Sequence, residues 1–140
     1  MIAFKVVEKG TRHCSNIMLC KKHFLLSSTA VEKYLKRKRR YPQYFPRYLK
    51  GRTIYAADGS VGIMCFESRV PAKDFIKRHQ LEGIAKIIRV EGIGLGIVPR
   101  KIVCGCGDDP MRLVQDPPRG RIFSSPPVGT IAFKAVRVLE

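Results

Sequence analysis

Between residues 33 and 52, cationic and aromatic side chains interleave in a way that suits a polyphosphate partner. Lys33, Lys36, Arg37, Lys38, Arg39 and Arg40 crowd the end of an expected helix, and Tyr41, Tyr44, Arg47, Tyr48, Lys50 and Arg52 follow. Consecutive cations from Lys36 to Arg40 encircle a helix rather than occupy one face, so such a helix is either melted or embedded in counter-charge. Pro42 and Pro46 then exclude a helix and favour an extended path. Along that path rings can stack on unpaired bases while cations meet phosphates. A surface loop that packs Tyr44 and Phe45 on the core is the plainer alternative. Arg69, and Arg119 and Arg121 in a proline-rich stretch, are further candidate RNA contacts.

Other reactive residues are less promising. Cys20 and His23, taken with Cys104 and Cys106, could supply four zinc ligands, since two short-range pairs from distant parts of a chain are the usual design of such a site. A Cys-x-Cys pair is tighter than the preferred spacing, and His13 and Cys14 compete for the role. The expectation is therefore free thiols in a reducing compartment, with no metal and no cofactor. Gly92, Gly94 and Gly96 follow an apolar strand, but Val98-Pro99-Arg100 gives no helix start to hold a pyrophosphate. Glycines here let the backbone approach another segment or a phosphate closely. Asp108-Asp109 precedes Pro110 and reads as a turn or cap. No set of nucleophile, base and orienting group emerges from His13, His23, His79 and these acids, so neither an enzyme nor a small-molecule substrate is expected.

Charge decides the class of partner. The 140 residues hold 27 Lys and Arg against 11 Asp and Glu, a net charge of +16. Residues 1–52 carry 14 of those cations against Glu8 and Glu32. A free domain with that field repels itself and binds polyanions, so a nucleic acid is the expected partner. No apolar run is long enough to span a membrane. The first 30 residues are basic, contain Ser and hold a single acid, a composition like that of organellar targeting segments. That composition points to a mitochondrion or other organelle, with the cytoplasm as the alternative.

The elements that must position these residues read as follows. Residues 2–7 form a short strand. Thr29 with Glu32 fits a capping box for a helix over residues 30–40. Residues 53–56 and 61–66 pair across a turn at Asp58-Gly59, and Pro71 suits the first turn of a second helix. Residues 84–90, 97–103, 111–114 and 130–139 are further strands. The expected fold is α+β: a small antiparallel or mixed sheet with one or two helices and a basic N-terminal arm. The arm with its short helix occupies residues 1–52 and the RNA-binding domain residues 53–140.

One stretch resembles a known family. Lys50-Gly51-Arg52 precedes Gly62-Ile63-Met64-Cys65-Phe66-Glu67-Ser68-Arg69-Val70-Pro71-Ala72-Lys73-Asp74-Phe75-Ile76. This resembles the N-terminal half of the universal large-subunit ribosomal protein of the L-sixteen family. In that family a basic Lys-Gly-Arg arm leads to a strand ending in Glu, and a short cap then opens a helix. The resemblance covers about 30 residues. It lacks the family's glycine- and lysine-rich loop and its closing helix. It implies a shortened member with a structural role in translation, bound to large-subunit rRNA and neighbouring ribosomal proteins in a mitochondrial or other organellar ribosome. A stand-alone nucleic-acid-binding module and a subunit of another large complex are the alternatives.

Overall fold

A computed structural model of the chain describes residues 1–14, 46–56, 61–99, 102–103, 123–124 and 126–140. Its strands are β1 (Ile2–Glu8), β2 (Thr53–Tyr55), β3 (Ile63–Phe66), β4 (Ala85–Ile93), β5 (Ile102–Val103), β6 (Phe123–Ser124), β7 (Thr130–Phe133) and β8 (Ala135–Val138). The helix α1 (Arg69–Arg78) lies between β3 and β4. Six strands form one sheet in the order β2-β8-β4-β1-β3-β7, and β5 pairs with β6 separately. Every pairing is antiparallel.

The expected α+β class is overturned. The described residues are mostly β, with a six-stranded antiparallel sheet and one ten-residue helix. The helix expected over residues 30–40 lies outside the described residues, as does the strand expected over 111–114. Of the strand expected over 97–103, the described residues show a bridge at Ile97 and the two residues of β5. Ile2–Glu8, grouped by sequence with the arm, sit between β4 and β3 at the centre of the sheet.

The sheet closes on itself. Only Lys134 separates β7 from β8. Yet β7 stands at one end of the strand order, and β8 is one strand in from the other. The residues on either side of Lys134 lie at most about 7 Å apart, so the sheet must curl until its ends meet as a small barrel. Ile97 reinforces the closure: its N–H donates to the Ala132 carbonyl at 2.8 Å and its carbonyl accepts from Ala132 at 2.7 Å.

Closure explains why β1 reads as an almost unbroken apolar run. Ala3, Lys5 and Val7 point into the barrel, where Ala3 and Val7 join Cys65, Ile88, Val90, Phe133, Val136 and Val138 in one core. Phe4 and Val6 point outward beneath α1, where a second core gathers Phe66, Ala72, Leu81 and Ala85. Gly92 makes the inner packing possible, because a Cβ there would overlap the buried ring of Phe133. Close backbone approach is thus the role of this glycine, and the neighbour it admits is an aromatic ring.

α1 ends in a complete Schellman motif. The N–H of Gln80 donates to Lys77 at 3.1 Å and that of Leu81 to Ile76 at 2.9 Å. Gln80 adopts φ 53, the left-handed conformation this motif requires and glycine most often supplies. Leu81, fully buried, anchors the following turn against the second core.

Candidate nucleic-acid interface

Pro46 to Arg52 form a stem rather than a free arm. Arg47 bridges His13 in antiparallel fashion, and Tyr48 N–H donates to the Arg12 carbonyl at 3.0 Å. Leu49 to Arg52 then make a turn closed by Arg52 N–H on the Leu49 carbonyl at 3.1 Å. Gly51, third in that turn, has φ 83, the value a type II turn demands of glycine. The turn is fixed to β8: Gly51 N–H donates to Val138 at 2.9 Å, and the Val138 N–H donates to Arg52 at 2.9 Å.

This geometry brings three expected contacts together and removes a fourth. Arg47, Lys50 and Arg52 are all exposed on the stem and its turn, with Arg47 Nε steadied by the Thr11 carbonyl at 2.7 Å. Tyr48 faces the opposite way and is 3% exposed, so the expected stacking of its ring on a base is corrected. Alternation along an extended segment explains the difference: flanking residues point to solvent while Tyr48 points into the barrel.

Inside the barrel Tyr48 meets a buried cation. Lys5, 6% exposed, donates from Nζ to the Met64 carbonyl at 2.6 Å and lies 5.2 Å from the centroid of the Tyr48 ring. Burial pushes the Tyr48 hydroxyl well above its ordinary range, with Cys14 and Cys65 adding to the effect. Burial also raises the Cys65 thiol to about 11, against the opposing pull of Lys5. Cys14 and Cys65 are buried free thiols.

Arg69 belongs to a different neighbourhood. It opens α1, its guanidinium 5.1 Å from the centroid of the Phe4 ring and 3.9 Å from the Glu140 carboxylate. Glu140 also accepts from Arg89 Nε at 2.6 Å, and that bond first, partly offset by desolvation, holds its carboxyl below the usual range. Arg12 donates to the Tyr48 carbonyl at 2.6 Å and also to the main-chain carbonyl of Glu140, so this node adjoins the stem. Arg69 is therefore partly neutralised within the fold.

Sequence reasoning passed over the outward residues of β2, β4 and β8. Tyr55, Arg89 and Arg137 are exposed there, and strict alternation within those strands was the signal that marks them. Lys33, Lys36, Arg37, Lys38, Arg39, Arg40, Tyr41, Tyr44, Arg119 and Arg121 lie outside the described residues. So do Cys20, His23, Cys104 and Cys106. Among the described residues no cluster of His, Cys, Asp and Glu could hold a metal ion, and no helix is long and apolar enough to cross a membrane.

Comparison with protein families, with curated proteins and with solved structures finds no match to this chain. β3 and α1 do span the residues that resemble the ribosomal family. That placement is common to many strand–turn–helix units and does not discriminate between families. What remains is the chain's own geometry: 14 Lys and Arg against 6 Asp and Glu among the described residues, with the stem at the foot of its most basic stretch.

Proposed function

We propose that the protein binds RNA as a structural, non-catalytic component of a ribonucleoprotein, the large subunit of an organellar ribosome. One observation carries this reading. Residues 15–45 carry eight Lys and Arg against Glu32 alone, and both ends of that stretch join the barrel at one place, the His13–Arg47 bridge. Charge so concentrated leaves from and returns to a rigid base that itself exposes Arg47, Lys50 and Arg52. The barrel then serves as an anchor and the basic stretch as the element that meets phosphate.

Each phosphate contact releases condensed counterion, so affinity falls steeply as salt rises. Such contacts fix position on the RNA and read little sequence. The ribosomal assignment rests on the resemblance over residues 50–76 and on the charge. Neighbouring ribosomal proteins are the remaining partners it implies, and translation the process.

The test is replacement of Lys36, Arg37, Lys38, Arg39 and Arg40 by Gln, with RNA affinity measured across a salt series. The variant is expected to bind more weakly and with a shallower salt slope while its circular dichroism stays unchanged. The tagged protein is expected to sediment with a large particle and to leave it after ribonuclease. Equal affinity of variant and wild type at physiological salt, or a particle indifferent to ribonuclease, overturns the proposal.

A further inference from the structure

The outward face of β2, β8 and β4 presents an aromatic ring with an arginine diagonal to it. Tyr55 is 74% exposed, far more than any other described aromatic side chain. It stands on the edge strand, and the Ala56 N–H bonded to the Lys134 carbonyl at 2.8 Å holds its backbone in place. Its partner across the ladder is Ala135, whose next neighbour is Ile93. A methyl group in the middle of that row leaves space beside the ring, two strand spacings or roughly 10 Å wide between Tyr55 and Ile93.

The adjacent row supplies charge. Thr53 pairs with Arg137 and Arg137 with Glu91. Arg137 therefore stands diagonally from Tyr55 on the same face, roughly 7–8 Å away and within reach of a nucleotide stacked there. Arg89 follows two residues beyond Glu91 on the same side of β4. Arg137 lies 3.9 Å from the half-exposed Glu91, a loose surface pair that contributes little, so a phosphate can take the place of that carboxylate. Arg89 is held more firmly, its Nε donating to Glu140 at 2.6 Å.

We propose that this face is a platform for unpaired nucleotides, on which Tyr55 stacks a base while Arg137 receives the flanking phosphate. The proposal rests on the RNA-binding reading above and names the form of RNA recognised. A duplex hides its base faces, so a ring standing clear of the sheet can stack only on a base outside a helix. A protein partner fits less well, because Arg137 and Glu91 lie between Tyr55 and Ile2 and break the apolar surface.

The experiment compares binding of the full chain to a labelled single-stranded oligouridylate and to an RNA duplex of equal length, by fluorescence anisotropy. Tyr55→Ala is expected to weaken single-strand binding about ten-fold, the loss of one stacked base, and to leave duplex binding unchanged. Tyr55→Phe, which keeps the ring, is expected to stay within about two-fold of wild type on the same ground. Photocrosslinking of a 4-thiouridine oligonucleotide to the wild-type chain gives an independent readout, with adducts expected on peptides from β2 and β8. Undiminished single-strand binding by Tyr55→Ala, or crosslinks confined to other peptides, overturns the platform and leaves the face to a protein partner. A wild-type chain that binds neither RNA overturns the RNA-binding reading itself, so the two failures are distinct.

Discussion

Lys5 Nζ and the ring of Tyr48 face one another at 5.2 Å inside the closed sheet. The cation comes from the central strand and the ring from the stem of the basic stretch, so the contact joins the core to the candidate interface. Replacing Lys5 with Met keeps the length of the side chain and removes a buried charge. The expected result is unchanged or higher stability, by up to about 1–4 kcal/mol. Tyr48→Ala is expected to lose about 3–5 kcal/mol, as other buried aromatic truncations do. Urea denaturation separates the two. A loss from Lys5→Met as large as that from Tyr48→Ala would show that the Met64 carbonyl depends on its bond to Nζ.

Alkali should unfold the barrel early. Cys65 is raised from an ordinary 9.0 to about 11, and Tyr48 well above 10.0. Both groups are acids that the folded state keeps protonated after the unfolded chain has released the proton. The Cys65 contribution is therefore whole below about pH 9 and is lost as pH rises through about 11, and that of Tyr48 is whole below about pH 10 and falls as pH rises further. The urea midpoint is expected to decline over that interval, and less so in Cys65→Ala or Tyr48→Phe. A midpoint that stays constant across the interval would place both groups in water.

Gln80 holds a left-handed conformation at the end of α1 with φ 53. An L-residue is strained there and glycine is not. Gln80→Gly is expected to raise stability by about 0.5–1 kcal/mol, net of the added freedom of the unfolded chain. Thermal unfolding followed by circular dichroism measures the change, and a lower melting temperature would count against the motif.

The stem makes the basic stretch removable. Because His13 and Arg47 are bridged, the chain on either side of the excursion is held about 5 Å apart, and a linker of a few residues can join Cys14 to Pro46. Replacing residues 15–45 by a short Gly-Ser linker is expected to leave the cooperative transition intact while weakening RNA binding and flattening its salt dependence, since eight of the cations go and Arg47, Lys50 and Arg52 stay. Collapse of the transition would mean that the excursion contributes to the core.

Much of the β framework is legible in the sequence. The strands expected over residues 2–7, 53–56, 61–66 and 130–139 all correspond to strands, and a helix does open near Pro71. The hairpin expected between 53–56 and 61–66 does not form: β2 pairs with β8 and β3 with β1 and β7, because a turn signal marks a change of direction and not the partner a strand finds. The fold class is not legible, because α1 is short and the barrel arises from a topological fact: β7 and β8 belong to opposite parts of the sheet although one residue joins them. A bend at Lys134 leaves no mark in composition. Lys5 and Tyr48 are concealed for a different reason. A lysine in a strand reads as a solvent-facing residue, and a tyrosine beside arginines reads as part of a binding surface. Only alternation, in phase with Ala3 and Val7 for Lys5 and opposite to the exposed Arg47 for Tyr48, gives their inward direction. Tyr55, by contrast, is an edge residue whose exposure depends on Ala135 in another strand.

The bend at Lys134 also sets a condition on how the molecule is made. β1 leaves the ribosome first and occupies the centre of the sheet, but the strand that joins both sides of that sheet is synthesised about 125 residues later. Contacts so distant in sequence slow folding and expose unpaired strand edges in the interval. The nascent chain therefore cannot complete its barrel until Val138 has emerged from the exit tunnel. Until then its unpaired strand edges stand open to pairing with other chains.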